Sequence, residues 1–180
     1  MILINGCSYS SLPGQWQDYF DIKNTNLAKP GNNNETIFHD TIEELSKNKN
    51  QYRACIIVWT FLDRYLISTD KHEEISIFPF LDSVHLKEEV YETQLFKFKK
   101  ILYSYFHSDV LQQKRLDNYK KSIDLLAECK VIHIDIDEFL QQLSYIPEYT
   151  KYLPPGGHLT KDAAIQAADK IKEMINNIIC

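Results

Sequence analysis

Ala54-Cys55-Ile56-Ile57-Val58-Trp59 is an unbroken apolar run, rich in β-branched side chains and with no polar residue alternating through it. A strand with one face in water alternates apolar and polar residues, so this run predicts a strand covered on both faces, as in a parallel sheet. Ile2-Leu3-Ile4, ended by Asn5-Gly6, is a second such run and reads as a buried strand that stops in a tight turn. Val131 to Asp135 reads as a further strand, and Thr25 to Ala28, closing in Lys29-Pro30-Gly31, as a weaker one.

Helical periodicity fills the gaps between these strands. Ile37, Thr41 and Leu45 recur at i, i+4 and i+8, which predicts a helix from Asn34 to about Ser46 with one buried face. Asn32 with Glu35 resembles a capping pair that would turn the free N–H groups of this helix toward Gly31. Two further helices are expected over about Glu88 to His107 and Val110 to Glu128, with their aromatic residues in the core. A last one follows Thr160, with Ala164, Ala168, Ile171, Ile175 and Ile178 on its apolar face. The stretch over about 70–87 reads as an irregular insertion carrying Ile77-Phe78-Pro79-Phe80-Leu81, either a lid over a site or a packed loop.

Strands alternating with helices predict an α/β chain: a three-layer α/β/α sandwich with a small, parallel, doubly wound, flavodoxin-like sheet. In such a sheet ligands bind beyond the carboxyl ends of the strands. A chain of 180 residues suits a single domain over 1–180.

Composition narrows the function. With 44% hydrophobic and 25% charged residues, the chain is ordinary for a globular protein. Its net charge of −5 and the scatter of its Lys and Arg residues predict no nucleic-acid partner. No signal-peptide pattern or membrane-length apolar run is read, so no membrane partner is expected. Cys7, Cys55, Cys129 and Cys180 are far apart with no C-x-x-C pair, which fits reduced thiols in a cytoplasm better than a disulfide framework. His39, His72, His85, His107 and His133 show no metal-ligand spacing, so neither a metal nor any other cofactor is expected.

Reactive side chains that follow strands gather at one rim of this fold, and Ser8, Gly31, Thr60 and Asp135 all do. In Gly6-Cys7-Ser8-Tyr9-Ser10 a glycine-assisted turn can lift the Ser8 hydroxyl to the rim and leave its N–H free. The Pro154-Pro155-Gly156-Gly157-His158 turn before the last helix would deliver an imidazole to the same rim, where a neutral ring can take the serine proton. The motif opens the chain and has Ser10 where Gly-x-Ser-x-Gly needs glycine, which disfavours an α/β-hydrolase elbow.

This order of blocks resembles the SGNH, or GDSL-like, hydrolase family, in particular its short intracellular bacterial and phage members. Gly6-Cys7-Ser8-Tyr9-Ser10 is similar to the first block, with Cys7 in place of the usual Asp. Asn26-Leu27-Ala28, Gly31 and Asn34 are similar to the second, Trp59-Thr60 with Arg64 occupy the place of the third, and Gly157-His158-Leu159-Thr160 is similar to the fifth. The resemblance implies Ser8 as nucleophile, His158 as base and the Gly31 N–H in the oxyanion hole. Two departures stand out. Pro155 occupies the place of the triad acid, leaving a dyad or a carboxylate from elsewhere, with Asp135 and Asp137 better placed than Glu148. The third block lacks its asparagine, so Thr60 and Asn34 are the candidate substitutes, with Arg64 a candidate for an anionic substrate group.

The expected function is a serine esterase acting on a small-molecule or carbohydrate ester. The alternatives are an SGNH-fold binding or accessory protein with weak or no activity, and an acyltransferase using the same site.

Overall fold

The computed structural model describes residues 1–68, 74–77, 97–98, 101–143 and 159–179. Four strands form one parallel sheet: β1 (Ile2–Asn5), β2 (Asn24–Asn26), β3 (Ala54–Trp59) and β6 (Lys130–Asp135), in the order β2-β1-β3-β6. β1 pairs with β3 from Ile2↔Ala54 to Asn5↔Ile57, and β3 with β6 from Ala54↔Lys130 to Trp59↔Asp135. The chain is therefore α/β with a parallel sheet, as the apolar runs predicted. β1 and β3 are buried along their whole length.

Alternate strand residues feed two cores. Leu3, Cys55, Ile57 and Trp59 meet Ile37 and Leu45 of α1 (Asn34–Lys47) and Leu116 and Ile123 of α2 (Asp109–Leu126). Ile2, Ile4, Ala54, Ile56 and Val58 meet Ile136 and Phe139 of α3 (Ile136–Leu143) and an Ala-rich face of α4 (Lys161–Ile179). Ala163, Ala164, Ala167 and Ala168 are buried there, small enough to let the helix lie close.

Several expectations are corrected. The N-cap of α1 is Asn33, whose side chain accepts from Thr36 N–H at 2.9 Å, and not Asn32. Part of the stretch read as irregular is a strand: β5 (Glu74–Ile77) pairs antiparallel with β4 (Tyr65–Ser68), from Tyr65↔Ile77 to Ser68↔Glu74. The aromatic residues before α2 are not all core, since Phe98, Tyr105 and Phe106 are exposed. There the helical pattern ends in a π-helical turn at Leu102–Phe106, with His107 beyond it. Most of the proposed lid cluster, Phe78 to Leu81, lies outside the described residues.

The strand order sets the place of a site. The chain leaves β1 for β2 on one side, then crosses back through α1 to β3 on the other, so its direction reverses between β1 and β3. Their carboxyl ends, at Asn5 and Trp59, flank the crevice where ligands of such sheets bind.

Candidate functional site

The end of β1 is built around two residues. Asn5, fully buried, donates from Nδ2 to the Ile37 carbonyl (3.0 Å) and to Thr41 Oγ1 (2.9 Å), and its Oδ1 accepts from Gly6 N–H at 2.8 Å. β1 is thereby stapled to α1 with no spare polar atom. Gly6 follows because no side chain fits: a Cβ there would lie 3.0 Å from Ser10 Oγ and from the Val58 carbonyl, and 3.2 Å from Val58 Cβ.

The chain then coils into a short helical turn, Ser8–Ser10, in which the Cys7 carbonyl accepts from Ser10 N–H (2.9 Å) and Ser11 Oγ (3.2 Å). Trp16 Nε1 donates to Ser10 Oγ at 3.1 Å. Ser8 is different: its carbonyl accepts from Ser11 and Leu12, but among the described residues its hydroxyl and its N–H have no partner. The hydroxyl is not raised into open solvent as the rim position suggested, since Ser8 is only 8% exposed.

Gly31 stands in a turn whose flanking residues bond to Gly6. Pro30 and Gly31, with Gly31 at φ +83° and Asn32 N–H donating to the Lys29 carbonyl at 3.3 Å, have the residue pattern of a type II turn. Only glycine adopts that φ readily, and the N–H at this place in the turn points outward. Among the described residues the Gly31 N–H has no acceptor. Gly6 ties the two turns together, its carbonyl accepting from Lys29 N–H (3.3 Å) and Asn32 Nδ2 (3.1 Å). Asn26 adds a further bond, Nδ2 donating to the Ser10 carbonyl at 2.7 Å.

His158 lies outside the described residues, as do Pro155 and Glu148. The next residue, Leu159, is described and is buried in the core that holds Cys7 and Tyr9. Its backbone is gripped at both ends by one amide, Gln15 Nε2 donating to its carbonyl (3.3 Å) and its N–H donating to Gln15 Oε1 (3.1 Å). Gln15, 4% exposed, sits just beyond the Ser8 turn. Sequence reading missed this residue, whose partner is 144 positions away.

The candidate oxyanion donors divide. Asn34 makes a two-way bond with the backbone of Thr60, accepting from its N–H (2.8 Å) and donating to its carbonyl (3.0 Å). That bridge joins the start of α1 to the end of β3. Thr60 Oγ1 is buried and has no partner among the described residues. Arg64 donates from Nη1 to the Asn32 carbonyl at 3.3 Å, with its guanidinium 5.1 Å from the centre of the Phe61 ring.

The candidate acids are engaged differently. Asp135 Oδ2 accepts from Lys120 Nζ at 2.7 Å, while its Oδ1 is buried with no partner among the described residues. Asp137 opens α3 with an exposed flank. The protein around its carboxyl strips part of its water and raises its pKa, and Asp63 and Asp135 add repulsion against an opposing pull from Arg64. Asp63 is raised too, by burial first, although Arg64 draws it back. Asp63 and Asp137 are thus both held above the ordinary carboxyl range by burial, the pattern of perturbed acids expected at functional rims.

Two further histidines take part in hydrogen-bonded chains. His107 shares a 2.6 Å bond with Tyr65 Oη through Nδ1 and a 2.8 Å bond with Asp109 through Nε2, a carboxylate–imidazole–phenol order able to pass a proton. The His-x-Asp pair is visible in sequence, but its phenol is 42 positions away. His133 accepts from Trp59 Nε1 at Nδ1 (3.0 Å) and meets Asp124 at Nε2 (3.1 Å).

Among the described residues no three His, Cys, Asp or Glu side chains are grouped to hold a metal, and no helix is long and apolar enough to cross a membrane. No family model matches the chain, and no curated protein matches it significantly.

Proposed function

We propose that the chain is a serine ester hydrolase of the SGNH type, with Ser8 as nucleophile and His158 as base. Ser8 Oγ attacks the ester carbonyl as His158 takes its proton, and the N–H groups of Ser8 and Gly31 hold the negative oxygen of the tetrahedral intermediate. His158 returns the proton to the departing alcohol, leaving an acyl-serine that water hydrolyses with His158 again as base. The substrate is a small-molecule or carbohydrate ester, and the reducing cytoplasm suits the buried thiols of Cys7 and Cys55.

One observation carries this reading: Leu159, directly after His158, is clamped by Gln15 beside the Ser8 turn. The hydroxyl and N–H of Ser8 and the N–H of Gly31, without partners among the described residues and on turns joined through Gly6, support it. Ser8→Ala should abolish turnover of short p-nitrophenyl esters without loss of fold. Equal turnover by that variant would refute the assignment.

A second reading, an SGNH-fold binding or accessory protein with weak activity, is favoured by the commitment of Asn34 to Thr60 and of Asp135 to Lys120. It predicts a folded chain with no turnover by either form.

A further inference from the structure

Of the large apolar side chains exposed among the described residues, all but Leu125 fall between Phe98 and Leu111. Tyr105 is 80% and Phe106 70% exposed, with Ile101, Val110 and Leu111 exposed beside them. Gathered apolar surface of this kind marks a place of contact. The exposure is built into the turn. Tyr103, within the π-helical turn, reaches inward and its Oη donates to the Asp63 carbonyl at 2.5 Å. His107, just after the turn, is fixed between Tyr65 and Asp109. Tyr105 and Phe106, between these two anchors, are left pointing out.

The α2 helix continues this surface. Its buried residues are Leu116 and Ile123. On the opposite side Val110, Leu111 and Leu125 are interspersed with Lys114, Arg115 and Lys121, all exposed, over an arc of about 140°. That arc holds no carboxylate. The acids of α2 lie outside it: Asp109 meets His107 (2.8 Å), Asp117 accepts from Gln113 Nε2 (2.9 Å) and Asp124 meets His133 (3.1 Å). Lys120 is spent on Asp135, whereas Lys114 and Lys121 form no ion pair among the described residues. On α1, which packs beside α2, Glu43 is paired with Lys47, and Glu35 lines a cleft with Arg115 and offsets part of its charge. Lys114 and Lys121 thus leave the outward arc positive in a chain of net charge −5.

A positive apolar face calls for a negative, apolar occupant. An isologous pair of chains would set Lys114 and Lys121 against their own copies. A protein partner would need a socket for each side chain that stands out, and the fluid border of a bilayer needs none. Aromatic rings beside lysines suit that border, with the rings at the edge of the acyl chains and the cations among anionic headgroups. A membrane partner is not expected from the sequence because no run spans a bilayer, but lying on its surface requires no span. We propose that the turn carrying Tyr105 and Phe106, together with the outer arc of α2, docks on the surface of a bilayer containing anionic lipid. This face is separate from the Ser8 turn and does not depend on the ester-hydrolase reading.

The test is co-sedimentation of the full chain, at low ionic strength, with phosphatidylcholine vesicles and with vesicles of phosphatidylcholine and phosphatidylserine at about 3:1. Binding to the phosphatidylserine vesicles is expected, with little to phosphatidylcholine alone, and it should fall as salt is raised. Lys114→Glu should weaken it about tenfold, as should Tyr105→Ser combined with Phe106→Ser. Lys161→Glu, at the start of α4 on the far side of the sheet, should barely change it. All four positions are exposed, so the variants keep the fold, which circular dichroism checks. Equal binding to both kinds of vesicle, or a loss in Lys161→Glu as large as in Lys114→Glu, overturns the proposal. So does binding unaltered by the Tyr105 and Phe106 changes. A chain that ignores the phosphatidylserine vesicles overturns it too, in favour of a second copy if the chain self-associates in solution and of an acidic protein if it stays monomeric.

Discussion

Asn32, Asn33 and Asn34 are three identical side chains in a row, and each does a different job. Asn32 donates to the Gly6 carbonyl, Asn33 caps α1, and Asn34 bridges to the backbone of Thr60. Local spacing favours none of them as the cap, which is why the expected Asn32 was displaced by one: two long-range acceptors claimed its neighbours. Asn34→Leu leaves the Thr60 N–H and carbonyl without partners, and should lower stability by about 2–3 kcal/mol in urea unfolding. Gly6→Ala drives a methyl into the Val58 carbonyl and should destabilise by about 1–3 kcal/mol. If Gly6→Ala unfolds at the parent midpoint, the close approach of β1 to β3 at that point is not real.

At the scale of elements, the end of β3 is locked to β6 through a side-chain pair that fixes a protonation state. Trp59 Nε1 can only donate, so His133 Nδ1 must carry no proton, and the neutral ring keeps its hydrogen on Nε2 toward Asp124. Burial lowers the His133 pKa below its ordinary value, and Asp124 only partly restores it. The sign follows: the fold favours the neutral ring, so this stabilisation is complete above the unfolded pKa of about 6.5. It is lost as pH falls from there through the lowered folded value. Urea midpoints measured from about pH 8 to about pH 5 should therefore drop, and drop less in His133→Gln. Equal pH slopes would show that the ring is not held neutral. The element pattern itself was largely legible, because apolar runs mark β1 and β3 and the Ile37-Thr41-Leu45 spacing marks the buried face of α1. The β4–β5 hairpin was not, since residues 69–73 between its two strands hold no Gly, Pro or Asn to announce a turn.

For the whole molecule, the sheet separates two cores, and β3 contributes to both with side chains that are almost wholly buried. Ile56→Ala in the α4-side core should cost about 2–5 kcal/mol by leaving a cavity in close packing. A loss below about 1 kcal/mol would mean that α4 does not cover the sheet as described. The candidate site was legible only where its parts are local. Ser8 and Gly31 stand in recognisable turns, but the Gln15–Leu159 clamp and the Tyr65–His107 bond join residues distant in sequence and leave no local signature. The clamp is where fold and proposed chemistry meet. Gln15→Leu should destabilise by about 1–3 kcal/mol through the unpaired backbone of Leu159, and should reduce ester turnover even under conditions where the variant is fully folded.

The most direct measurement is incubation of the native chain with a fluorophosphonate, followed by peptide mass spectrometry, because phosphonylation needs an activated serine beside formed oxyanion donors. One adduct on Ser8, absent from Ser8→Ala and from His158→Ala, is the predicted result. A folded native chain that takes up no label at Ser8, or labels it equally well without His158, contradicts the Ser8–His158 hydrolase.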